Sequence, residues 1–170
     1  MDASTQRTVD GLRHAMQAEH EGHHFYRMAA SATQDPKGQK VFEQLAAEEL
    51  EHFQFLQGQL AAVTRTGTFD PQVRLGDPKD LSDPHPIFSP EIRTRIGQAH
   101  YEMTALSIAI QLELSAVNFY AAEAKAATVA EVKAFYEKLE SWERGHLNAL
   151  QRQADGLRED YWHEGGFSPF

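Results

Sequence analysis

Glu48-Glu49-Leu50-Glu51-His52 contains the pattern Glu-x-x-His, and Glu143-Arg144-Gly145-His146 repeats it late in the chain. On a helix, residues three apart share a face, so Glu49 points where His52 points, and Glu143 where His146 points. Each pair interrupts an apolar stripe: Phe42, Leu45, Glu49, His52, Leu56 in the first case and Tyr136, Leu139, Glu143, His146, Leu150 in the second. The steps are 3, 4, 3, 4 in both, the spacing of a helix face turned into a bundle core. Carboxylates therefore stand where leucine is expected. An ionised, unpaired carboxylate in a core is very costly, and metal coordination is one of the few ways to keep it charged.

The rest of the chain supplies two more such positions. Residues 4–33 predict a first helix with the stripe Leu12, Met16, Glu19, His23, Tyr26. Asp35-Pro36 marks a stop and a new start, with Asp as N-cap and Pro at the first helical position. The second helix is expected over residues 37–63, antiparallel to the first because the connection is short. Five of the seven prolines lie in or next to residues 64–89, which read as an extended crossover. A bundle helix of about 25 residues is roughly 38 Å long, a distance that an extended segment of that size covers easily. Ser89-Pro90-Glu91 is a further helix start, with a break expected near Met103-Thr104 and Thr104 as cap. The third core helix is placed at residues 104–127, with the stripe Leu106, Ile110, Glu113, Val117, Tyr120. Thr128-Val129-Ala130-Glu131 reads as a capping box that opens a fourth helix to about residue 157, followed by an aromatic and glycine-rich tail, 158–170. The fold expected is all-α: one four-helix bundle over residues 1–170, with a long crossover between helices 2 and 3.

Composition agrees with this and excludes other classes. A net charge of -9 argues against nucleic acid or an anionic membrane as partner. There is no cysteine, which excludes disulfides, iron–sulfur ligation and thiolate zinc sites and fits a reducing, cytoplasmic setting. The first eight residues are polar, without a secretory apolar region, and no run of 18 apolar residues is present to span a membrane.

A shift of 94 residues lays the two halves over one another without a gap. Glu19 falls on Glu113, Phe25-Tyr26 on Phe119-Tyr120, Glu49 on Glu143 and His52 on His146; His23 alone among the stripe polar residues has an apolar mate, Val117. Two repeated helix pairs describe a pseudo-twofold bundle. Each half contributes one Glu from its first helix and a Glu and a His from its second, so Glu19, Glu49, His52, Glu113, Glu143 and His146 are the candidate metal ligands. Four carboxylates carry four negative charges, and two divalent cations balance them. Oxygen and imidazole donors without thiolate suit iron or manganese, with zinc also compatible. Tyr26 and Tyr120 follow Glu19 and Glu113 by two turns and are placed to hydrogen-bond the ligating carboxylates.

These residues carry a family resemblance. Glu19 with Phe25-Tyr26, Glu49 with His52, Glu113 with Phe119-Tyr120, and Glu143 with His146 resemble the ferritin-like domain of the rubrerythrins, and more closely their stand-alone relatives. The resemblance implies a ferritin-like four-helix bundle that holds two irons, one Glu of each Glu-x-x-His bridging them and the other groups terminal. It also implies reduction of hydrogen peroxide or oxidation of ferrous iron by dioxygen, and a homodimer. No catalytic side chain beyond the ligands is implied. Full rubrerythrins end in a cysteine-ligated rubredoxin module; this chain has no cysteine, so the electron donor is expected to be another protein. Peroxidase rubrerythrins carry an extra glutamate three residues after the third-helix ligand, where this chain has Ala116.

Other polar residues are expected to be structural. His23 reads as a core or interface histidine rather than a seventh ligand, and His14, His20 and His24 as surface or subunit-facing. Glu48 and Glu51 read as solvated charges, and Trp142 as packing rather than an electron relay. Three functions remain open: a di-iron oxidoreductase acting on peroxide or dioxygen, a ferroxidase or iron-handling protein, and a bundle that metals merely hold together.

Overall fold

Asp2 accepts the Thr5 N–H at 2.7 Å and starts the first helix. The computed structural model describes residues 2–76, 87–92 and 99–164. Four helices make up the fold: α1 (Ala3–Ala32), α2 (Pro36–Thr66), α3 (His100–Ala126) and α4 (Ala130–Glu164). Among the described residues there is no strand. α1 packs along α2 and α3 along α4, whereas α1 meets α3 only sparsely. This is the four-helix, ferritin-like arrangement that the stripes predict.

The described parts of the crossover lie at opposite ends of α2, and each is tied down by side chains. Gly67 ends α2 in the left-handed conformation, φ 79°, which costs glycine least. Just beyond it, Gln59 donates to the Asp70 and Val73 carbonyls at 3.0 and 3.1 Å and accepts the Asp70 N–H at 2.9 Å. At the far end, Asp35 does double duty. It caps α2 by accepting the Lys37 and Gly38 N–H groups at 3.1 and 2.8 Å, and it accepts both the N–H and the hydroxyl of Ser89. Phe88 is pinned over Gly38, where a Cβ would lie only 2.3 Å from its ring. Replacing Asp35 by Ala removes a helix cap and this anchor together. The expected loss is about 2 kcal/mol or more, read from the denaturant midpoint; a change below about 0.5 kcal/mol, the size of a neutral surface substitution, would show the anchor to be idle.

The structure departs from the expected boundaries in α3 and α4. α3 begins at His100, with Ala99 in the cap position and no side-chain cap. Thr104 is inside the helix, and its hydroxyl donates back to the His100 carbonyl at 2.7 Å, the alternative open to a helical Thr. Ala99 and Ala105 are both buried at this helix start. Pro90 to Ile92 form one 3₁₀ turn; the Ser89 hydroxyl is committed to Asp35, and residues 93–98 lie outside the described residues. In α4 the first helical bond runs from the Lys133 N–H to the Val129 carbonyl, which puts the cap at Val129 and not Thr128. α4 also continues to Glu164, taking in half of the expected tail; residues 165–170 lie outside the described residues.

α3 differs from the sequence expectation in another way. By length and composition it is apolar enough to cross a membrane, with an 18-residue window of mean hydropathy 1.3. The expectation considered unbroken apolar runs, whereas a window average tolerates the Glu113 that every such window of α3 contains. α3 packs along α4 and buries that carboxylate in the bundle.

The apolar core is in two parts. Tyr26, Phe42, Leu45, Phe88, Leu106 and Leu150 belong to one, and Leu12, Leu56, Tyr120, Tyr136, Leu139 and Trp142 to the other. On all four helices the residues separating these parts are the glutamates and histidines of the interrupted stripes. The polar layer is thus sealed by apolar packing along the bundle axis.

Candidate metal centre

Each helix delivers its stripe residue to this layer. Glu19, Glu49, His52, Glu113, Glu143 and His146 are all buried, none more than 4 % exposed. They form two overlapping groups, Glu19, Glu49, His52, Glu143 and Glu49, Glu113, Glu143, His146; within each, one donor atom per residue lies within 4.8 Å of the others. Glu49 and Glu143 belong to both. All six sequence candidates are therefore brought together, and the two Glu-x-x-His glutamates occupy the shared positions.

The histidines face the layer through Nδ1. His52 Nδ1 lies 2.9 Å from Glu143 Oε1 and 3.3 Å from Glu19 Oε2. His146 Nδ1 lies 3.3 Å from Glu143 Oε2 and 3.7 Å from both Glu113 and Glu49. The tyrosines cross the bundle reciprocally: Tyr26 of α1 donates to Glu113 of α3, and Tyr120 of α3 donates to Glu19 of α1. Burial, and then the neighbouring carboxylates, hold both phenols well above their ordinary pKa, so they remain donors.

The electrostatics of the protein groups alone show a layer short of positive charge. Burial first, then Glu143, raises Glu49 well above the carboxylate range and Glu113 to about 7. Burial disfavours the His52 cation, but the Glu143 carboxylate outweighs it and raises His52 to about 10. His146 is raised in the same way by Glu113. Glu143, also buried, is nevertheless held well below the usual range by His52 and His146. Protons thus substitute for cations in the metal-free layer. Glu49 Oε1 and His146 Nδ1 are buried without a hydrogen-bond partner among the described residues. Inward-facing carboxylate and imidazole atoms without such partners are of the kind that could hold hard or borderline divalent metal ions.

Two residues outside the predicted set prove informative. Glu48, expected in solvent, is 1 % exposed; its carboxylate lies 3.1 Å from His146 Nε2 and accepts the Gln44 amide at 3.0 Å. The expectation failed because a bundle helix buries a face wider than one stripe, and residue 48 is turned towards α4. Its repeat mate is the aromatic Trp142, and that apolar mate was the available signal for a buried position. His23 is tied to structure, as expected: the Ala46 carbonyl can only accept, so His23 Nδ1 donates to it at 2.6 Å, joining α1 to α2. His20 and His24 contact each other on the exposed face of α1.

A cavity of about 280 Å³ lies where α1 and α3 pack sparsely. His14 and Glu21 stand at its exposed edge, Gly22 and Ala116 (repeat mates) line its wall, and Glu19, Glu49, Glu113 and Glu143 line it too.

An all-α bundle with a buried layer of glutamates and Glu-x-x-His histidines belongs to the ferritin-like class. Residues 10–77 match the family model described as Rubrerythrin, which is consistent with a rubrerythrin-like domain of the ferritin superfamily. The match covers most of α1, all of α2 and the start of the crossover. No curated protein and no solved structure matches the chain.

Proposed function

We propose that this chain is a non-haem di-iron oxidoreductase that reduces hydrogen peroxide or dioxygen within the carboxylate–histidine layer. The observation that carries the reading is the pair of donor groups sharing Glu49 and Glu143, open to a cavity between α1 and α3. In this reading Glu19 and His52 would hold one ion and Glu113 and His146 the other, with Glu49 and Glu143 available to both. Iron held there would supply the electrons for cleaving an O–O bond. The protein's part is to fix the terminal carboxylates through Tyr26 and Tyr120 and to admit small molecules along the wall of Gly22 and Ala116. Because Ala116 brings no carboxylate to that wall, the reading includes dioxygen beside peroxide. The 170 residues contain no cysteine, and we assign re-reduction to a separate electron-donor protein.

Anaerobic loading with ferrous iron, followed by stopped-flow mixing with peroxide and separately with oxygen, tests this. Oxidation of two irons per chain, with recovery on adding a reductant, is the expected result. A di-ferrous protein inert to both oxidants removes the proposal. Continued oxidation of many iron equivalents per chain would replace it with iron handling.

A further inference from the structure

We infer that the two cation positions are unequal: Glu48 makes the Glu113/His146 position the tighter one, and the Glu19/His52 position binds its ion more loosely. This rests on the two-metal reading of the layer but not on any oxidase or peroxidase activity.

The pseudo-twofold relation pairs the six candidate ligands perfectly, Glu19 with Glu113, Glu49 with Glu143 and His52 with His146. It pairs the two tyrosines as well, and their hydrogen bonds obey it. It breaks behind the histidines. Both rings turn Nδ1 into the layer, so Nε2 is the nitrogen facing away. A neutral imidazole that binds metal through Nδ1 carries its proton on Nε2 and needs an acceptor there. For His146 that acceptor is Glu48, at 3.1 Å, its other oxygen held by Gln44. For His52 the equivalent position is Trp142, whose ring lies edge-on at a centroid distance of 4.8 Å. Indole nitrogen is a donor only, and His52 Nε2 has no hydrogen-bond partner among the described residues.

A carboxylate behind a ligating imidazole fixes its tautomer and ring orientation and makes it a better ligand; removing such a partner typically weakens metal binding about 10- to 100-fold. Glu48 also brings a fifth buried carboxylate to the layer, next to one position only. Trp142 holds the His52 ring by packing alone. The first divalent ion therefore goes to the Glu113/His146 side, and the second is the one that exchanges.

The test is stepwise addition of cobalt(II) to the metal-free full-length protein, followed by visible absorption and proton NMR. Two binding steps about 10-fold or more apart are expected. The first should bring out one paramagnetically shifted, slowly exchanging imidazole N–H, that of His146. In Glu48→Gln the first step should weaken about 10-fold, and that N–H should exchange faster. The second step should stay where it was, which a general loosening of the bundle would not allow. If Glu48→Gln does not fold, His52→Ala and His146→Ala decide the matter: the former keeps the tight step, the latter only a weak one. Two equal steps in the unaltered protein, an equal effect of Glu48→Gln on both steps or none on either, or equal residual affinities in the two histidine variants would overturn the inference. Failure to bind cobalt at all sinks this inference and the proposed function together. Unequal binding with an inert di-ferrous form sinks only the function.

Discussion

Stripped of its metals, the protein should lose stability steadily as the pH rises from about 5 to about 10, while the metal-loaded form holds its stability over most of that range. The sign follows from two groups. Glu113 is pushed by burial, then by Glu143, from 4.5 to about 7 in the folded protein. Its neutral form is the one the fold accommodates, so its contribution is complete below the unfolded pKa and disappears as the pH passes 7. His52 is raised from 6.5 to about 10 because the Glu143 and Glu19 carboxylates outweigh the burial that opposes its charge. Its contribution is complete below 6.5 and disappears as the pH passes 10. Glu49 and His146, both raised, act in the same direction. Glu143 is held low by the histidines and acts oppositely, but only below the ordinary carboxylate range. For Glu113 alone the loss is on the order of 3 kcal/mol, a large part of a typical domain's stability. On the proposed reading metal ions take the place of these protons, so loading should release protons and raise the melting temperature most at alkaline pH. Thermal melts at pH 6 and pH 9, with and without a chelator, measure this. A chelated protein that melts at the same temperature at both would show that no such cluster of charge exists.

The layer behind this expectation was legible from residue spacing because each helix carries its own record of which face is buried. The 3, 4, 3, 4 steps of Phe42 to Leu56 and of Tyr136 to Leu150 end on residues that are all buried, and the 94-residue offset required the two tyrosines to act alike, though not that each would reach across to the other half's glutamate. Asp35-Pro36 was equally legible, since capping is chemistry of adjacent residues. Contacts that depend on two helices at once were not legible. Glu48 lies one position from Glu49, about 100° around the helix, and whether that direction meets water or α4 depends on how far apart the helices pack. Glu102 is similar: it is buried and accepts the Gln34 N–H at the end of α1, which no spacing rule within α3 implies. The start of α3 escaped for the opposite reason. Thr104 has the chemistry of a cap, and only packing of the residues ahead of it shows that it is used inside the helix.

On the proposed two-ion reading, Glu143→Gln should cost the protein both metal ions, whereas Glu19→Gln should cost it one. The difference is in how many donor groups each residue serves. Glu19 belongs to one group, with His52; Glu143 belongs to both and stands between the two imidazoles, 2.9 Å from His52 Nδ1 and 3.3 Å from His146 Nδ1. Glutamine keeps the size of the side chain and loses its charge, so either variant removes one of the four carboxylates that balance two divalent ions. From Glu143 the loss falls on both ions at once. It also unbalances the histidines, because the Glu143 carboxylate is the first cause of the raised His52 pKa and part of the support for His146. In the metal-free state the same change relieves Glu49 and Glu113 of their strongest like-charge neighbour. The metal-free melting temperature of Glu143→Gln should therefore move less than the metal-loaded one. An ion held at about 1,000 times its dissociation constant contributes about 4 kcal/mol to stability, so the gain in melting temperature on loading should nearly vanish in Glu143→Gln and fall by about half in Glu19→Gln. Metal content after gel filtration, measured beside those melts, separates lost binding from lost folding. Two tightly held ions per chain in Glu143→Gln would mean that the shared position is not where the ions meet, and the pairing of the two donor groups through Glu49 and Glu143 would have to be given up.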